Sequence, residues 1–168
     1  MNSKQNYTLL VKNILKYQNR LATYSEESFT KKKADGIWSP AEVYAHILAA
    51  NNMTSLSLKK IINKEATLTD AVIPFKAKLL LWSGRFPKGR KVPAVVEART
   101  PKINSIADAQ QSIDVCLKQL QEIWDLKSEW NQDYKIKHPV LGYLTINQWI
   151  RFMLIHTKHH YKQLDRVQ

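Results

Sequence analysis

Cysteine and glycine are scarce in this chain of 168 residues, which has one cysteine and four glycines. The single cysteine, Cys116, excludes an intrachain disulfide and favours a reducing, cytoplasmic environment. The few glycines, without evenly spaced turn signals, argue against an all-β fold and favour helices. Because the length suits one ordinary domain, residues 1–168 are expected to form a single domain.

The chain also lacks a long apolar run. The longest one, AKLLLW at residues 77–82, is far shorter than the roughly 20 residues of a membrane-spanning helix. The N-terminal stretch MNSKQNYTLL has no apolar segment long enough for a signal peptide. We therefore expect a cytoplasmic protein with no membrane partner.

Acidic residues are fewer than basic ones. The chain has 14 aspartates and glutamates and 26 lysines and arginines, which gives a net charge of +12. Such an excess is found in proteins that bind nucleic acids or anionic surfaces. The densest basic runs, KKK at 31–33 and KGRK at 88–91, lie in expected loops. No basic recognition helix, RNA-binding aromatic motif or zinc-finger cysteine pattern is present. A solvated basic surface is therefore favoured, and a nucleic-acid partner is not expected.

Apolar residues recur at helical spacing in four segments. The first runs from Tyr7 to Tyr24 and ends before the polar stretch SEESFTKKKADG. The second starts at SPAE, where Ser39 is a helix cap and Glu42 can reach back to the cap amide, and is expected to extend to about Lys64. Glu42 is therefore better explained as a cap residue than as a general base.

The third and fourth helices are also marked by caps. The third is predicted to begin after Ser105, and the fourth after Thr145, with Gln148 completing a second capping box. Residues 65–104, which contain four prolines, are predicted to form a long connection with a short helix around Ala71–Trp82. The predicted fold is an all-α four-helix bundle with a long crossover between its second and third helices.

Three of the five histidines lie in the stretch LIHTKHHYKQL at 154–164. At about 100° per residue, His156 and His160 fall on the apolar stripe of the fourth helix, one turn apart, whereas His159 is rotated toward a flank. A histidine pair at this spacing can bind one metal ion. Two ligands hold a metal weakly, and His46 in the second helix is the candidate for a third, if the two helices face each other.

Three neutral imidazoles with one or two waters describe an open metal site, suited to zinc, nickel or another late first-row divalent ion. The alternative is that these histidines are core residues with hydrogen-bond partners. Burying two imidazoles on one stripe costs polar desolvation, so the pair is harder to explain in this way. Both interpretations stay open from the spacing alone. Of the remaining histidines, His138 is expected to lie in a loop. His159 is expected to lie at the surface or beside the ligands.

Two stretches, WSPAEVYAHIL at 38–48 and HPVLGYLTINQWIRFMLIHTKHHYKQL at 138–164, resemble the DinB-like or YfiT-like superfamily of four-helix-bundle proteins. Its members are described as metal-dependent hydrolases and include transferases that use the thiols bacillithiol or mycothiol. The resemblance implies a metal triad of one histidine from the second helix and two from the last, which are His46, His156 and His160. It also implies a small-molecule substrate and a low-molecular-weight thiol as cosubstrate.

The resemblance leaves several functions open. A bound metal could activate a thiol for transfer to a small electrophile, or a water for hydrolysis, with the thiolate or hydroxide on the metal as nucleophile. The chain could instead be a non-catalytic metal-binding protein of a stress response. Cys116 is expected to be a buried, inert thiol. Three tryptophans that look exposed would suit a homodimer interface or the monomer core equally well, namely Trp82, Trp124 and Trp130.

Overall fold

The computed structural model describes residues 2–86 and 101–167. Within these residues the secondary structure is mostly helical, so the predicted all-α class is confirmed. Helix α1 spans Ser3–Leu21 and is capped by Asn2, whose side chain accepts a hydrogen bond from the Gln5 amide. The apolar seam predicted for the first helix is buried from Leu10 to Leu21, and Tyr24 lies beyond the helix end.

A short helix that the sequence analysis did not predict follows in the polar stretch after α1. Helix α2 covers Glu26–Thr30, with Ser25 as its cap and Ser28 completing the capping box. Phe29 is the only buried residue of this helix. The capping box and the burial of Phe29 therefore stabilise a short helix where the polar composition indicated a loop.

The caps predicted for the longer helices are confirmed. Helix α3 spans Pro40–Ile62, and the Ser39 side chain accepts from the Glu42 amide at 3.2 Å while the Glu42 carboxylate accepts from the Ser39 amide at 2.8 Å. Helix α4, the short helix predicted around Ala71–Trp82, begins later and spans Phe75–Ser83, because Pro74 disfavours a helical conformation in the residue before it. Helix α5 spans Ile106–Asp125 after the cap Ser105.

The last helix, α6, spans Ile146–Val167. The Thr145 amide donates to the Gln148 side chain at 2.9 Å, and the Gln148 amide lies 3.4 Å from the Thr145 hydroxyl, as the second capping box predicted. The expected loop at the basic run 88–91 lies outside the described residues. None of the helices in the described part of the chain is long and apolar enough to span a membrane.

Three short strands form an antiparallel sheet that the sequence analysis also missed. Strand β1 is Thr67–Leu68, β2 is Tyr134–His138 and β3 is Gly142–Leu144, in the order β1-β2-β3. Thr67 pairs with Lys135, and Ile136 pairs with Leu144. A single turn of 3₁₀-helix, Lys127–Glu129, lies between α5 and β2. The sheet joins the connection after α3 to the segment that leads into α6.

The four long helices pack in a ring, in which α1 contacts α5 and α6, and α3 contacts the same two helices. Their apolar faces meet in one core. Buried tyrosines tie three of the helices together: the Tyr44 hydroxyl donates to the Tyr17 carbonyl at 2.8 Å, and the Tyr17 hydroxyl donates to the Thr157 carbonyl at 2.9 Å. These bonds fix α3 and α6 relative to α1, next to the histidines on α6.

Candidate metal centre

The start of α3 sets the position of His46. The Ser39–Glu42 capping box fixes the first turn, and His46 follows on the inner face of the helix with 6% of its surface exposed. Trp38, immediately before the cap, lies against the imidazole with ring centroids 5.3 Å apart. The cap thus determines both the register of the histidine and the aromatic ring beside it.

Helix α6 brings the other two imidazoles to the same place. His156 and His160 are one turn apart and follow the buried residues Trp149 and Met153 on the inner face, as predicted. His160 is 5% exposed, and His156 is half-buried. Because α3 and α6 are neighbours in the ring, the face of α6 that carries the pair meets the face of α3 that carries His46.

The three imidazoles converge on one point. The Nε2 atom of His156 lies 3.3 Å from Nε2 of His46 and 3.1 Å from Nε2 of His160. One ring nitrogen from each histidine lies within 4.8 Å of the other two. Among the described residues, this is the group of histidine, cysteine or acidic side chains whose ligand atoms are close enough together to hold one metal ion. Tetrahedral coordination with metal–nitrogen bonds of about 2.0–2.1 Å places ligand nitrogens about 3.3–3.4 Å apart. The Nε2–Nε2 separations of 3.3 and 3.1 Å are close to this spacing.

Burial keeps the three rings neutral. It lowers the pKa of His46 to about 4 and the pKa of His160 to about 3, and it places the pKa of His156 well below the usual range. Protonating His156 or His160 would also place a positive charge beside the protonated form of a neighbouring histidine, and this repulsion lowers their pKa values further; His159 and Arg166 act on His160 in the same direction. A neutral imidazole has a free lone pair, which is the form that binds a metal.

Gln163 selects the proton position on His160. Its Oε1 atom lies 2.9 Å from Nδ1 of His160, one turn further along α6. An amide oxygen only accepts hydrogen bonds, so the ring donates through Nδ1 and directs the lone pair of Nε2 inward. This glutamine was not among the candidate site residues, although its spacing of three residues from His160 is a signal for such a contact.

Aromatic side chains from several elements surround the triad. Trp38 lies nearly parallel to the ring of His160 at 6.3 Å, and Phe152 stacks on His156 at 5.3 Å. Phe86, from the segment after α4, lies 5.8 Å from the ring centre of His156. These rings limit the access of water to the imidazoles, which strengthens electrostatic interactions in the site.

Arg151 fixes the segment that carries Phe86. Its Nε atom donates to the Leu81 carbonyl near the end of α4 at 2.9 Å. Gly84 ends the helix in a left-handed conformation with φ of 67°, and a side chain there would come within 2.9 Å of the Arg151 guanidinium. The glycine therefore allows the close approach, and α4 is held against α6 beside the histidines.

The sequence comparison decides the family. The sequence profile of the DinB superfamily matches residues 10–164, a range that includes all three histidines, the whole of α3 and α5, and most of α1 and α6. The chain belongs to the DinB superfamily. A further relative is the uncharacterized protein YuaE of Bacillus subtilis (strain 168), which is 27% identical over 150 residues, covering 89% of each chain.

The two remaining histidines of this DinB-superfamily chain lie outside the triad. His159 is exposed and contacts Phe86 and His160, as expected for a residue beside the ligands. His138 is the last residue of β2, so the prediction of a loop position was wrong. Its Nδ1 atom accepts from the Val140 and Leu141 amides at 3.1 and 3.2 Å, which directs the chain into the turn before β3.

Two other predictions about reactive groups are confirmed. Cys116 is fully buried in the core, and burial raises the pKa of its thiol to about 12, so it is not a nucleophile at neutral pH. Glu42 is occupied by the α3 cap and by Lys32, whose ammonium lies 2.8 Å from the carboxylate. Neither of these two groups therefore supplies a nucleophile or a free general base to the triad.

Proposed function

We propose that His46, His156 and His160 hold a divalent cation, zinc or nickel, and that the protein transfers a low-molecular-weight thiol to small electrophiles. The observation that carries the proposal is the convergence of three neutral imidazoles, with Nε2 of His156 lying 3.3 Å from Nε2 of His46 and 3.1 Å from Nε2 of His160. When bound, the cation supplies a Lewis acid that favours the deprotonated form of a thiol or water.

The chain's own residues have separate roles in this proposal. The three imidazoles present lone pairs in a fixed arrangement, and Gln163 keeps the proton of His160 on the outer nitrogen. Phe152, Phe86 and Trp38 exclude water from the ligands and offer an apolar surface to the electrophile. The set of three ligands leaves a coordination position open for the nucleophile, unlike a structural site with four protein ligands.

Within residues 2–86 and 101–167 the cluster of ligand atoms contains imidazoles without a carboxylate, and this favours thiol transfer over hydrolysis. A thiol has a pKa of about 8.5, whereas bulk water has a pKa of about 15.7, so water needs far more help to lose its proton. Metal-dependent hydrolases often obtain this help from a glutamate general base. Glu42, the carboxylate nearest to the triad in sequence on α3, is already bound to the cap amide and to Lys32.

The test is turnover of a panel of small electrophiles by the metal-loaded protein, with and without added thiol. We expect product only when both thiol and metal are present, and a loss of at least about a hundredfold in rate for His46→Ala. His159→Ala is the matched control, because this histidine contacts His160 but does not belong to the cluster of ligand atoms. Turnover with water alone would identify a hydrolase. Tight metal binding without turnover of any electrophile would identify a non-catalytic metal-binding protein.

A further inference from the structure

Helix α4 carries apolar side chains on two opposite faces. Its inner face, with Ala77 and the half-buried Leu80 and Leu81, packs on the core. Its outer face carries Phe75, Leu79 and Trp82, which are spaced four and three residues apart and are 78%, 49% and 82% exposed. A helix that is apolar all round normally has both faces covered. Among the described residues, nothing covers the outer face of α4.

The exposure of this face is unusual for the molecule. Trp82 and Phe75 are the most exposed large hydrophobic residues of the described chain, and Val72, just before the helix, is 74% exposed. Single exposed apolar residues are ordinary, but a contiguous group with two aromatic rings marks an interaction surface. We call Val72, Phe75, Leu79 and Trp82 the α4 stripe.

Basic residues lie on both sides of the α4 stripe. At about 100° per residue, Lys76 flanks the stripe on one side and Lys78 on the other, and Arg85 follows the helix. Residues 71–86 contain no aspartate or glutamate. None of the ion pairs within the described residues involves Lys76, Lys78 or Arg85. Asp70, just before this segment, lines one cavity with Lys78, so the stripe is an apolar centre in surroundings of net positive charge.

We propose that the α4 stripe docks on the surface of an anionic phospholipid bilayer. Tryptophan, phenylalanine and leucine between lysines are the composition of helices that lie in the membrane interface, where the rings enter the headgroup region and the lysines meet anionic headgroups. A helix of nine residues is about 13 Å long, so it lies on the membrane without crossing it. The proposal revises the sequence-based expectation of no membrane partner, which rested on the absence of a span.

The positive charges beside the α4 stripe and its aliphatic side chains disfavour two other partners, a second copy of this chain and a nucleic acid. A second copy would bring Lys76, Lys78 and Arg85 close to the same cations of a chain with net charge +12. A nucleic acid would satisfy the charges and could stack on the aromatic rings, but it offers no apolar medium for the aliphatic side chains of Leu79 and Val72. Hydrocarbon next to anionic headgroups satisfies both the charges and the apolar surface.

The experiment is flotation of the full chain with vesicles of phosphatidylcholine alone or mixed with phosphatidylglycerol. We expect binding at least about tenfold stronger to the anionic vesicles, weakening as salt is raised. The double variant Phe75→Ser with Trp82→Ser should reduce this binding at least about tenfold. The matched control, Met53→Ser with Leu56→Ser, removes two apolar residues that are 65% and 56% exposed on α3, and should bind like the wild type.

Thermal unfolding of both double variants should match the wild type, because all four side chains are exposed. This measurement distinguishes the loss of a binding surface from misfolding of the chain.

Three outcomes would overturn the proposal. One is no binding to anionic vesicles, or binding that the Phe75/Trp82 variant retains. Another is a dimer, seen by sedimentation, that this variant dissociates in the absence of lipid. The third is binding to DNA or RNA that depends on the stripe and exceeds vesicle binding.

Discussion

At the scale of single residues, the histidine cluster depends on which nitrogen of each ring carries the proton. The amide oxygen of Gln163 requires a proton on Nδ1 of His160, which leaves a lone pair on Nε2. That atom is only 3.1 Å from Nε2 of His156, which in turn is 3.3 Å from Nε2 of His46. If all three rings have this tautomer, three lone pairs face one another, and a cation removes their repulsion.

The role assigned to Gln163 predicts a graded effect on metal affinity. Gln163→Leu removes the acceptor that orients His160 and should weaken zinc or nickel binding about 10- to 100-fold. Gln163→Glu keeps an acceptor at the same position and should restore an affinity at or above that of the wild type. Isothermal titration of the metal-free proteins measures both effects. Equal weakening in the two variants would show that the residue acts only through packing.

His138 predicts how stability depends on pH. Burial lowers the pKa of His138 to about 4, whereas an unfolded histidine has a pKa of about 6.5. Between these values the unfolded chain binds more protons than the folded one. The free energy of unfolding should therefore rise with pH across this window, and this histidine should contribute up to about 3 kcal/mol to the rise.

The variant His138→Asn isolates that contribution, because its side-chain oxygen can still accept from the Val140 and Leu141 amides but does not titrate. Denaturant unfolding with a chelator present, between about pH 4.5 and 7, should give a shallower slope for the variant than for the wild type. Parallel slopes would mean that His138 titrates normally in the folded protein.

At the scale of elements, the local signals in the sequence account for the helices but not for all the connections. The starts of α3, α5 and α6 followed from the caps Ser39, Ser105 and Thr145, since a capping side chain acts within a few residues. Helix α2 and the sheet were missed because each is short. Helix α2 depends on one buried ring, and the strands depend on pairing between segments distant in sequence.

The contact between α4 and α6 predicts different costs for two glycine substitutions. Gly36 and Gly84 have φ values of 73° and 67°, so alanine is strained at both, by about 1–2 kcal/mol. At Gly36 a new methyl group meets nothing within 4 Å, whereas at Gly84 it comes within 2.9 Å of the Arg151 guanidinium. Because the contacted atom is the end of a long side chain, Gly84→Ala should be the more destabilising substitution by up to about 1 kcal/mol.

Denaturant unfolding of the two glycine variants gives this difference directly, because Gly36→Ala reports the backbone strain alone. The extra cost at Gly84 comes from displacing Arg151 from its hydrogen bond to the Leu81 carbonyl. Equal costs at the two positions would show that the guanidinium can move aside freely, and that the segment leading to Phe86 is not fixed by it.

At the scale of the whole molecule, the ring of helices joins ligands that are far apart in the sequence. The pair on α6 was recognisable from its spacing on an apolar stripe, but a third ligand from α3 required that the two helices be neighbours, which periodicity alone does not determine. The resemblance to the DinB superfamily supplied that pairing, and the structure shows the imidazoles together. The aromatic surroundings, from Trp38 and Phe86, come from connections whose positions only the folded chain defines.

The measurement that tests the central claim most directly is the metal content of the purified protein, by elemental analysis and by titration with zinc and nickel. The account predicts about one bound ion per chain for the wild type and for His159→Ala. It predicts the loss of stoichiometric binding for His156→Ala, with helical content by circular dichroism unchanged. Full occupancy in His156→Ala, or equal loss in His159→Ala, would contradict the assignment of His46, His156 and His160 as the ligands.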